Sequence, residues 1–410
     1  MPALAEPVSE LARAPAVRAC LEWFGRERAW INDQHLKLCR IPAPTFFEQK
    51  RAEYIAERFR ALGWEAKLDR AGNVVASLPG RRDQPAIAVT AHLDTVLAPR
   101  SPEEVKVAGD GRLLGPGVSD NGAGLTALLA LAAAWKAAPP LEDPSVTPVL
   151  VANVGEEGEG NLCGMRYFCR APAASRFRSF LVLDGPDVGH ITCQALASRR
   201  FEVTFTGPGG HSWSDYGAGN PIHALSRAIT HFTDNAPTGE PKGSFNFGVV
   251  EGGTSINAIP SEARAKVDLR SENAARMDQL ATLLAASVDK ALNEENARVE
   301  TNGRGAAGRI AVRLKEVGSR PGGSLPEGAV ILKCLLAVDA YLGIRGSLDC
   351  SSTDANLPLS LGLPAVSIGA GGQGGGAHTM SEWYQPEGRE LGLRRILLAL
   401  CLLCGDTQET

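Results

Sequence analysis

Apolar runs and helical stripes alternate along the first half of the chain. Within residues 48–63, Ile55, Phe59 and Leu62 recur at the spacing of one helix face and predict a helix. A segment of small residues at 122–135 predicts another helix. Short apolar runs predict strands at 73–77, 86–90, 147–153 and 180–183. Apolar strands interleaved with helices are typical of an α/β sheet with both faces covered.

The pattern changes near residue 198. Residues 200–206 alternate polar and apolar side chains, which suits a strand with one solvated face. Further runs of this kind lie at 244–250, 263–269 and 309–317, and helical stretches lie at 221–235 and 274–296. The order strand, helix, strand, strand, helix, strand predicts a small α+β domain.

The α/β pattern returns after this segment. Residues 320–326 are rich in Gly and Pro and predict a linker, before a helix at 329–342 and a strand at 364–368. We therefore expect one α/β domain, with a mixed sheet covered by helices, formed by residues 1–197 and 320–410. The inserted α+β domain would comprise residues 198–319.

Composition indicates an ordinary globular protein. Of the 410 residues, 44% are apolar and 21% are charged, which excludes collagen-like and disordered classes. The formal net charge of −4 provides no strong field for nucleic acid or an anionic membrane, and we expect neither as a partner. Among the nine cysteines, Cys401 and Cys404 lie in an apolar stretch, where packing in a buried helix is favoured over a redox pair.

The sequence shows neither a targeting signal nor a membrane span. The first ten residues lack a basic stretch followed by an apolar core, so a signal peptide is not expected. The longest apolar run, residues 125–135, is too short to cross a bilayer. We therefore expect a cytoplasmic protein.

A histidine and a carboxylate follow the buried strand at 86–90. They are His92 and Asp94, and residues two apart on a strand face the same side of the sheet. A metal-bound histidine commonly donates its second ring N–H to a carboxylate. Asp94 therefore has the chemical type and the spacing of a residue that orients a metal-binding His92.

Two more segments place carboxylates next to predicted elements. Asp120 lies between glycines just before the helix at 122–135, where it is either a metal ligand or the helix N-cap. Glu156 and Glu157 follow the strand at 147–153. Adjacent carboxylates point in different directions, so one can bind metal while its neighbour transfers protons.

A further carboxylate and a second imidazole complete the set. Asp184 ends the run at 180–183, and His378 follows a glycine run. The candidate ligands are two imidazoles and three carboxylates: His92, His378, Asp120, Glu157 and Asp184. Mixed nitrogen and oxygen donors suit Zn²⁺, with Co²⁺ or Mn²⁺ as alternatives. Three carboxylates and one bridging hydroxide balance two divalent cations, whereas one cation would leave buried carboxylates unpaired, so we expect two metal ions per chain.

Other polar residues have less specific patterns. His35, His223 and His231 lie in helical patterns and are expected to be structural or surface residues. Glu382 is either a partner of the ligands or part of a solvated turn. The chain has no GxSxG and no GxxxxGK[ST] motif, so serine hydrolases and P-loop NTPases have no support.

In this order, the motifs resemble those of the M20 metallopeptidase and deacylase family, and most of all its peptidase T-like tripeptidases. The resemblance rests on six segments spread over nearly the whole chain. They are HLD at 92–94, SDNGAG at 119–124, GEE at 155–157, LDG at 183–185, GGHS at 209–212 and HTMSE at 378–382. It implies a catalytic domain interrupted by a lid or dimerisation domain.

The resemblance also implies a role for each ligand. His92 and Asp184 would bind one zinc ion. Glu157 and His378 would bind the other ion, and Asp120 would bridge the two.

Further roles follow from the same resemblance. Glu156 would be the general base, and Asp94 would support His92. In the inserted domain, His211 would help to polarise the scissile carbonyl, in some members from the neighbouring subunit. Asn257 and Arg270 match positions that contact the carboxylate of the substrate.

The implied reaction is hydrolysis of an amide bond in a small peptide or an N-acyl amino acid. Asp184, where carboxypeptidases and deacylases of the family carry Glu, favours an exopeptidase for di- or tripeptides or one of the aminopeptidase type. A deacylase or carboxypeptidase is the alternative, and a non-catalytic metal-binding relative is an alternative of another class. Residues 352–356 resemble a loop near the site of the tripeptidase-like members. The inserted domain could form a homodimer, or a monomer could close its lid.

Overall fold

Buried apolar runs form the centre of a nine-stranded sheet. The structure, a computed structural model, describes residues 5–81, 83–170 and 173–405. The prediction that residues 1–10 are no signal peptide falls partly outside these ranges, because residues 1–4 are not among them. The chain divides into two compact units, one running up to Ala195 and resuming at Gly323, the other comprising Leu196–Gly322.

The first unit opens with helices and then alternates strands and helices. Its first part has the helices α1 (Ala5–Arg13), α2 (Pro15–Arg26), α3 (Arg28–Cys39), α4 (Gln49–Ala61), α5 (Gly122–Ala137) and α6 (Cys163–Phe168). The strands of this part are β1 (Glu65–Leu68), β2 (Val74–Ser77), β3 (Ala86–His92), β4 (Lys106–Val107), β5 (Leu113–Leu114), β6 (Thr147–Asn153), β7 (Phe177–Leu183) and β8 (His190–Ala195).

The second unit follows, and the chain then returns to the first. The second unit contains β9 (Ala197–Thr206), β10 (Gly210–His211), α7 (Pro221–Asn235), β11 (Gly243–Gly252), β12 (Ala258–Ile259), β13 (Glu262–Ser271), α8 (Ala274–Thr301) and β14 (Ala311–Arg320). The rest of the first unit contains β15 (Gly323–Ser324), α9 (Val330–Leu342), β16 (Ser347–Ser351), α10 (Asn356–Ser360), β17 (Ala365–Ile368), β18 (Gln373–Gly375), β19 (Trp383–Gln385) and α11 (Arg389–Cys404).

The large sheet of the first unit has mixed strand directions. Its order is β1–β2–β6–β3–β7–β17–β8–β15, with β16 beside β8. β3 runs parallel to β6 and β7, whereas β2 runs antiparallel to β6. Ile87 and Val89 pack in one core cluster and Ala86 and Ala88 in another, so β3 is covered on both faces. The predicted α/β fold with a mixed, helix-covered sheet is confirmed.

The second unit is built on an antiparallel sheet. Its strand order is β11–β13–β9–β14, and helices α7 and α8 pack against it. Positions along β13 alternate between exposed or half-buried and buried, as expected for a sheet with one core face. Asn220 caps α7 by accepting the backbone N–H groups of Ile222 and His223, and Pro221 opens the helix.

The prediction of a linker at residues 320–326 is wrong in part, because several of these residues lie in strands. Arg320 ends β14, and Gly323 and Ser324 form β15, which pairs antiparallel with Ala195 and Gln194 of β8. A Cβ atom on Gly323 would lie 2.7 Å from the backbone of Leu359. The glycine therefore serves close packing rather than flexibility.

The long apolar helices are core helices. Almost every residue of α5 and α11 is buried. Cys401 and Cys404 are buried free thiols in α11, in agreement with the predicted packing role. Within the described ranges, no helix is long and apolar enough to span a membrane.

Candidate metal centre

Three parallel strands end at one edge of the large sheet and carry polar residues there. His92 is the last residue of β3, Asp184 follows β7, and Glu156 and Glu157 follow β6. The carboxyl ends of parallel strands meet at one edge, which is the usual ligand-binding edge of such sheets. The backbone N–H of Asp184 donates to Ile368 of β17, which fixes its position at the strand end.

Asn121, and not Asp120, is the N-cap of α5. Its side chain accepts the N–H of Gly124 at 3.0 Å and donates to the carbonyl of Leu183 at 2.8 Å. The peptide bond between Asp120 and Asn121 is cis. Asn121 therefore takes the N-cap role that was the alternative to metal binding for Asp120. The Asp120 carboxylate is directed at the site instead.

The two oxygens of Asp120 contact different histidines. Oδ1 lies 3.0 Å from Nε2 of His92, and Oδ2 lies 3.0 Å from Nε2 of His378. Asp184 lies 3.9 Å from Nε2 of His92, and Glu157 lies 2.8 Å from Nε2 of His378. Two groups of candidate ligands therefore share Asp120.

Glu156 lies close to the same centre. A third group of atoms within 4.8 Å of one another comes from His92, Glu156 and Glu157. Both glutamates are buried. The geometry brings the five predicted ligands together and places Glu156 beside them. It does not by itself distinguish which of the two glutamates binds metal and which transfers protons.

Burial and mutual contacts shift the pKa values of these groups. Burial acts to lower the pKa of His92, but Asp120, Asp184 and Asp94 raise it well above its usual value. Contact with Asp120 raises the pKa of His378 to about 9. Burial raises the pKa of Glu157. The clustered carboxylates thus favour positive charge at this place, whether it comes from protons or from cations.

The donor set fits divalent metal ions. Ligand atoms that each lie about 2.0–2.2 Å from one zinc ion are roughly 3–4 Å from one another. The distances of 2.8 to 3.9 Å between ligand atoms within the two groups fall near this range. Imidazole nitrogens and carboxylate oxygens are also donors that suit zinc. Without cations, several buried carboxylates would share one small volume, which is electrostatically costly.

Asp94 differs from its expected contact with His92. Nδ1 of His92 is 3.0 Å from the backbone carbonyl of Asp94 but 3.6 Å from its carboxylate, which is too long for a hydrogen bond. The backbone carbonyl therefore orients the imidazole. The carboxylate instead accepts the backbone N–H groups of Glu156 and Glu157, because the turn after β6 packs against it.

Residues of the N-terminal helical region stabilise this turn and its surroundings through hydrogen bonds. Thr45 donates its hydroxyl to Asp94 at 2.9 Å, and Glu48 accepts the N–H of Gly155 at 3.1 Å. Arg51 is fully buried and donates to the carbonyls of Ile41 and Leu93. These residues were not singled out from sequence, because they lie far along the chain from their partners.

Glu382 is a buried partner of the Asp120 loop. Its carboxylate accepts the N–H groups of Gly117, Ser119 and Asp120 at 2.7, 2.7 and 2.8 Å. Burial raises its pKa to about 7. Of the two alternatives open for Glu382, the structure excludes the solvated turn. The signal in the sequence that could have indicated its burial is the spacing of two residues from Tyr384, which is also buried.

Asn153 and Asp354 form a second buried contact that sequence reasoning missed. Nδ2 of Asn153 donates to Oδ2 of Asp354 at 2.6 Å, and both residues are buried. Burial raises the pKa of Asp354 to about 7. Asp354 belongs to the 352–356 loop that resembled a site-proximal loop, whereas Asn153 is the last residue of β6.

The second unit contains His211, which is predicted to polarise the scissile carbonyl, and the two predicted substrate-binding residues, Asn257 and Arg270. His211 lies in β10, which pairs with β12, and Ser212 donates its N–H to the carbonyl of Asn257 at 3.0 Å. His211 and Asn257 are therefore neighbours on one short ribbon. Arg270 lies in β13, and its Nε donates to Asp268 at 2.6 Å.

The large sheet therefore carries acidic and imidazole groups at its carboxyl edge, and a separate α+β unit interrupts the sequence of this first unit. Comparison with known families gives two matches. Residues 73–203 match the family described as Peptidase family M28. Residues 197–296 match the M20 family described as Peptidase dimerisation domain. The second match confirms the resemblance to M20 peptidases seen in the motifs.

Three individual proteins illustrate what this chain is similar to. The uncharacterized protein YqjE of Bacillus subtilis is 24% identical over 359 residues, 83% of this chain and 90% of that protein. The cytosol non-specific dipeptidase of Escherichia coli is 25% identical, over 66% of this chain and 59% of the dipeptidase. The structure of a tripeptidase from Staphylococcus aureus has a TM-score of 0.72 at 20% identity, covering 91% of this chain and 98% of the tripeptidase. At that identity it shows a shared fold.

Proposed function

We propose that this chain is a zinc-dependent exopeptidase that hydrolyses di- or tripeptides. The observation that carries the proposal is the contact of the two Asp120 oxygens with two different histidines, each at 3.0 Å. A carboxylate held in this way is suited to bridge two cations. The E. coli and S. aureus proteins are named as a dipeptidase and a tripeptidase, which supports the substrate class.

The five ligands would hold two zinc ions. His92 and Asp184 would hold one ion, Glu157 and His378 the other, and Asp120 both. Bound zinc would polarise the scissile carbonyl and lower the pKa of the attacking water. Co²⁺ or Mn²⁺ are alternative occupants of the same donor set.

Glu156 is proposed as the general base. It is buried, and its backbone N–H is held by Asp94 at 3.0 Å. In this role Glu156 accepts a proton from the attacking water and returns it to the leaving amine. A positioned carboxylate of this kind typically contributes about 10²–10⁴-fold to the rate.

Three residues of the second unit are proposed to bind the substrate. His211 would stabilise the oxyanion of the tetrahedral intermediate. Arg270 would bind the C-terminal carboxylate, since a guanidinium matches a carboxylate with two parallel hydrogen bonds. Asn257 would add a hydrogen bond to the same group. The contact of Arg270 with Asp268 fixes its guanidinium near the sheet.

The second unit is also proposed to form a homodimer. It matches a peptidase dimerisation domain over residues 197–296. Strand β11 lies at the edge of its sheet, is ten residues long and is mostly exposed. An exposed edge of this length is suited to pair with a second copy. The E. coli relative is named as cytosolic, and we propose a cytoplasmic location for this chain as well.

A substrate panel with metal analysis tests the proposal. Purified protein is analysed for metal per chain and incubated with dipeptides, tripeptides, N-blocked peptides and N-acetyl or N-succinyl amino acids. We expect two zinc ions and release of amino acids from peptides with a free N-terminus, with the Glu156→Gln variant as the inactive control.

Each other outcome points to a different function. Release of the acyl group alone would indicate a deacylase. Release of the C-terminal residue from N-blocked peptides would indicate a carboxypeptidase. Metal binding with no turnover of any substrate would indicate a non-catalytic relative.

A further inference from the structure

Glu382 connects the loop of Asp120 to the segment of His378. Its carboxylate accepts three backbone N–H groups, one of which belongs to Asp120 itself. Glu382 is 2% exposed. A side chain that accepts three backbone N–H groups holds them in one geometry, and burial protects these hydrogen bonds from competition by water.

The backbone around Glu382 extends this connection. Its carbonyl accepts the N–H of Gly115, and its own N–H donates to the carbonyl of Thr379 at 3.3 Å. The next two residues, Trp383 and Tyr384 of β19, pair with Leu114 and Leu113 of β5. The turn that carries His378 is therefore joined to the Asp120 loop through Glu382 and the strand that follows it.

His378 depends on its backbone for its position. Its side chain is 50% exposed, whereas that of His92 is 2% exposed. In the part of the chain that the structure describes, Nδ1 of His92 has a backbone hydrogen bond and Nδ1 of His378 has none. His378 also has a φ of 65°, an uncommon conformation for a residue other than Gly, which persists only where its surroundings enforce it.

We propose that Glu382 is a positioning residue that fixes the spacing of Asp120 and His378 and so determines the affinity of one of the two metal sites. The inference rests on the proposed two-zinc function. Glu382 would not touch metal or substrate. It would hold the loop and the turn that present two of the three ligands of the second site.

The two sites should differ in their dependence on Glu382. His92 and Asp184 lie at the ends of buried strands, so the first site keeps two well-fixed ligands when Glu382 is changed. At the second site only Glu157 has a position that is independent of Glu382. Loss of partners that orient ligands commonly weakens metal affinity by about 10–100-fold. We expect this loss at the second site.

Metal titration of two variants tests the proposal. In Glu382→Gln, the amide nitrogen replaces one acceptor oxygen and faces a backbone N–H. In Glu382→Ala, all three hydrogen bonds are lost. Glu387→Gln, at an exposed position five residues along the chain, is the matched control. Zinc affinities are measured by competition with a chromophoric chelator, and Co²⁺ spectra report the coordination of each site.

We expect one site to be weakened by about 10–100-fold and the other, which keeps two well-fixed ligands, to change much less, with the larger effect in the Ala variant and none in Glu387→Gln. Melting of the metal-free variants shows whether they fold, and Glu382→Gln carries the test if Glu382→Ala does not. Equal weakening of both sites, or wild-type affinity at both, would overturn the inference. If the wild type itself binds fewer than two ions, the proposed function fails first, and the inference fails with it.

Discussion

The carboxylate of Asp94 holds the backbone of Glu157, whose N–H donates to Oδ2 at 2.9 Å. Oδ1 of the same carboxylate accepts the N–H of Glu156 at 3.0 Å, and the hydroxyl of Thr45 donates to Oδ2 at 2.9 Å. Burial acts to raise the pKa of Asp94, but contact with His92 and these N–H groups lower it. One ionised carboxylate therefore fixes both glutamates for which we propose different roles.

Substitution of Asp94 by Asn tests this arrangement. The shape of the side chain is kept, but an amide NH₂ then faces a backbone N–H that has lost its acceptor. We expect a loss of about 1–3 kcal/mol in the free energy of unfolding and a fall in activity of about 10–100-fold. Urea unfolding and steady-state kinetics measure the two effects. Thr45→Val removes one donor only and should cost less, and wild-type activity in Asp94→Asn would contradict the prediction.

The two glutamates after β6 should respond differently to substitution. Glu156→Gln keeps the side-chain volume but cannot accept a proton, so we expect both metal ions to stay and turnover to fall by about 10²–10⁴-fold. Glu157→Ala should lose a metal ion. Metal content by atomic absorption and kcat are measured on the same samples. Loss of zinc from Glu156→Gln with retention in Glu157→Ala would reverse the proposed assignment.

Arg270 should act on substrates through their C-terminal carboxylate. Arg270→Ala removes the guanidinium and leaves Asp268 in contact with Arg200. We expect KM to rise at least tenfold for peptides with a free carboxylate and to change little for C-terminally amidated peptides. Arg270→Lys keeps the charge but not the bidentate geometry, so its KM should be intermediate. A similar change for both kinds of peptide would assign another role to Arg270.

Much of the fold follows from local patterns. The strand predicted at 147–153 and the helix predicted at 221–235 have the bounds seen in the structure, because an unbroken apolar run and an Asn–Pro helix start are strong local signals. Three of the predicted metal ligands, His92, Glu157 and Asp184, follow from similar reasoning. Side chains placed at strand ends converge once the parallel strands are neighbours.

The supporting residues could not be predicted in the same way. Glu382 contacts Asp120 across 262 residues of sequence, and Asn153 contacts Asp354 across 201 residues. Such polar contacts have no periodicity, because each depends on the final packing of loops. Which group of Asp94 contacts His92 could not be predicted either, because the carboxylate and the backbone carbonyl belong to the same residue.

The exposed edge of β11 should be needed for dimer formation. Val250 lies on this strand and is 57% exposed. Val250→Lys places a charge on an edge strand, which opposes pairing with a second strand. We expect a dimer for the wild type and a monomer for the variant, measured by light scattering after size exclusion. Val107→Lys, at a similarly exposed position of the first unit, should remain dimeric, and a dimeric Val250→Lys would move the interface elsewhere.

His35 should make the fold sensitive to acid. It is fully buried, and burial together with the charge of Arg389 lowers its pKa well below the usual value. Nε2 lies 2.7 Å from the carbonyl of Val118, and Nδ1 lies 2.6 Å from the Arg389 guanidinium, so the ring is neutral and donates from Nε2. Its face packs against the Tyr384 ring, with centroids 4.6 Å apart.

The direction of the pH effect follows from this lowered pKa. Below pH about 6.5 the unfolded chain protonates His35 while the folded chain does not, so each further pH unit costs about 1.4 kcal/mol until the folded pKa is reached. Above pH 7 this residue adds no pH dependence. We expect His35→Gln to have a lower free energy of unfolding at pH 7 than the wild type. Between pH 5 and 7, however, its free energy of unfolding should change less with pH. Both are measured by urea unfolding of the metal-free protein. His223→Gln, at an exposed histidine of α7, should keep the wild-type slope, and an unchanged slope in His35→Gln would assign the acid sensitivity to other groups.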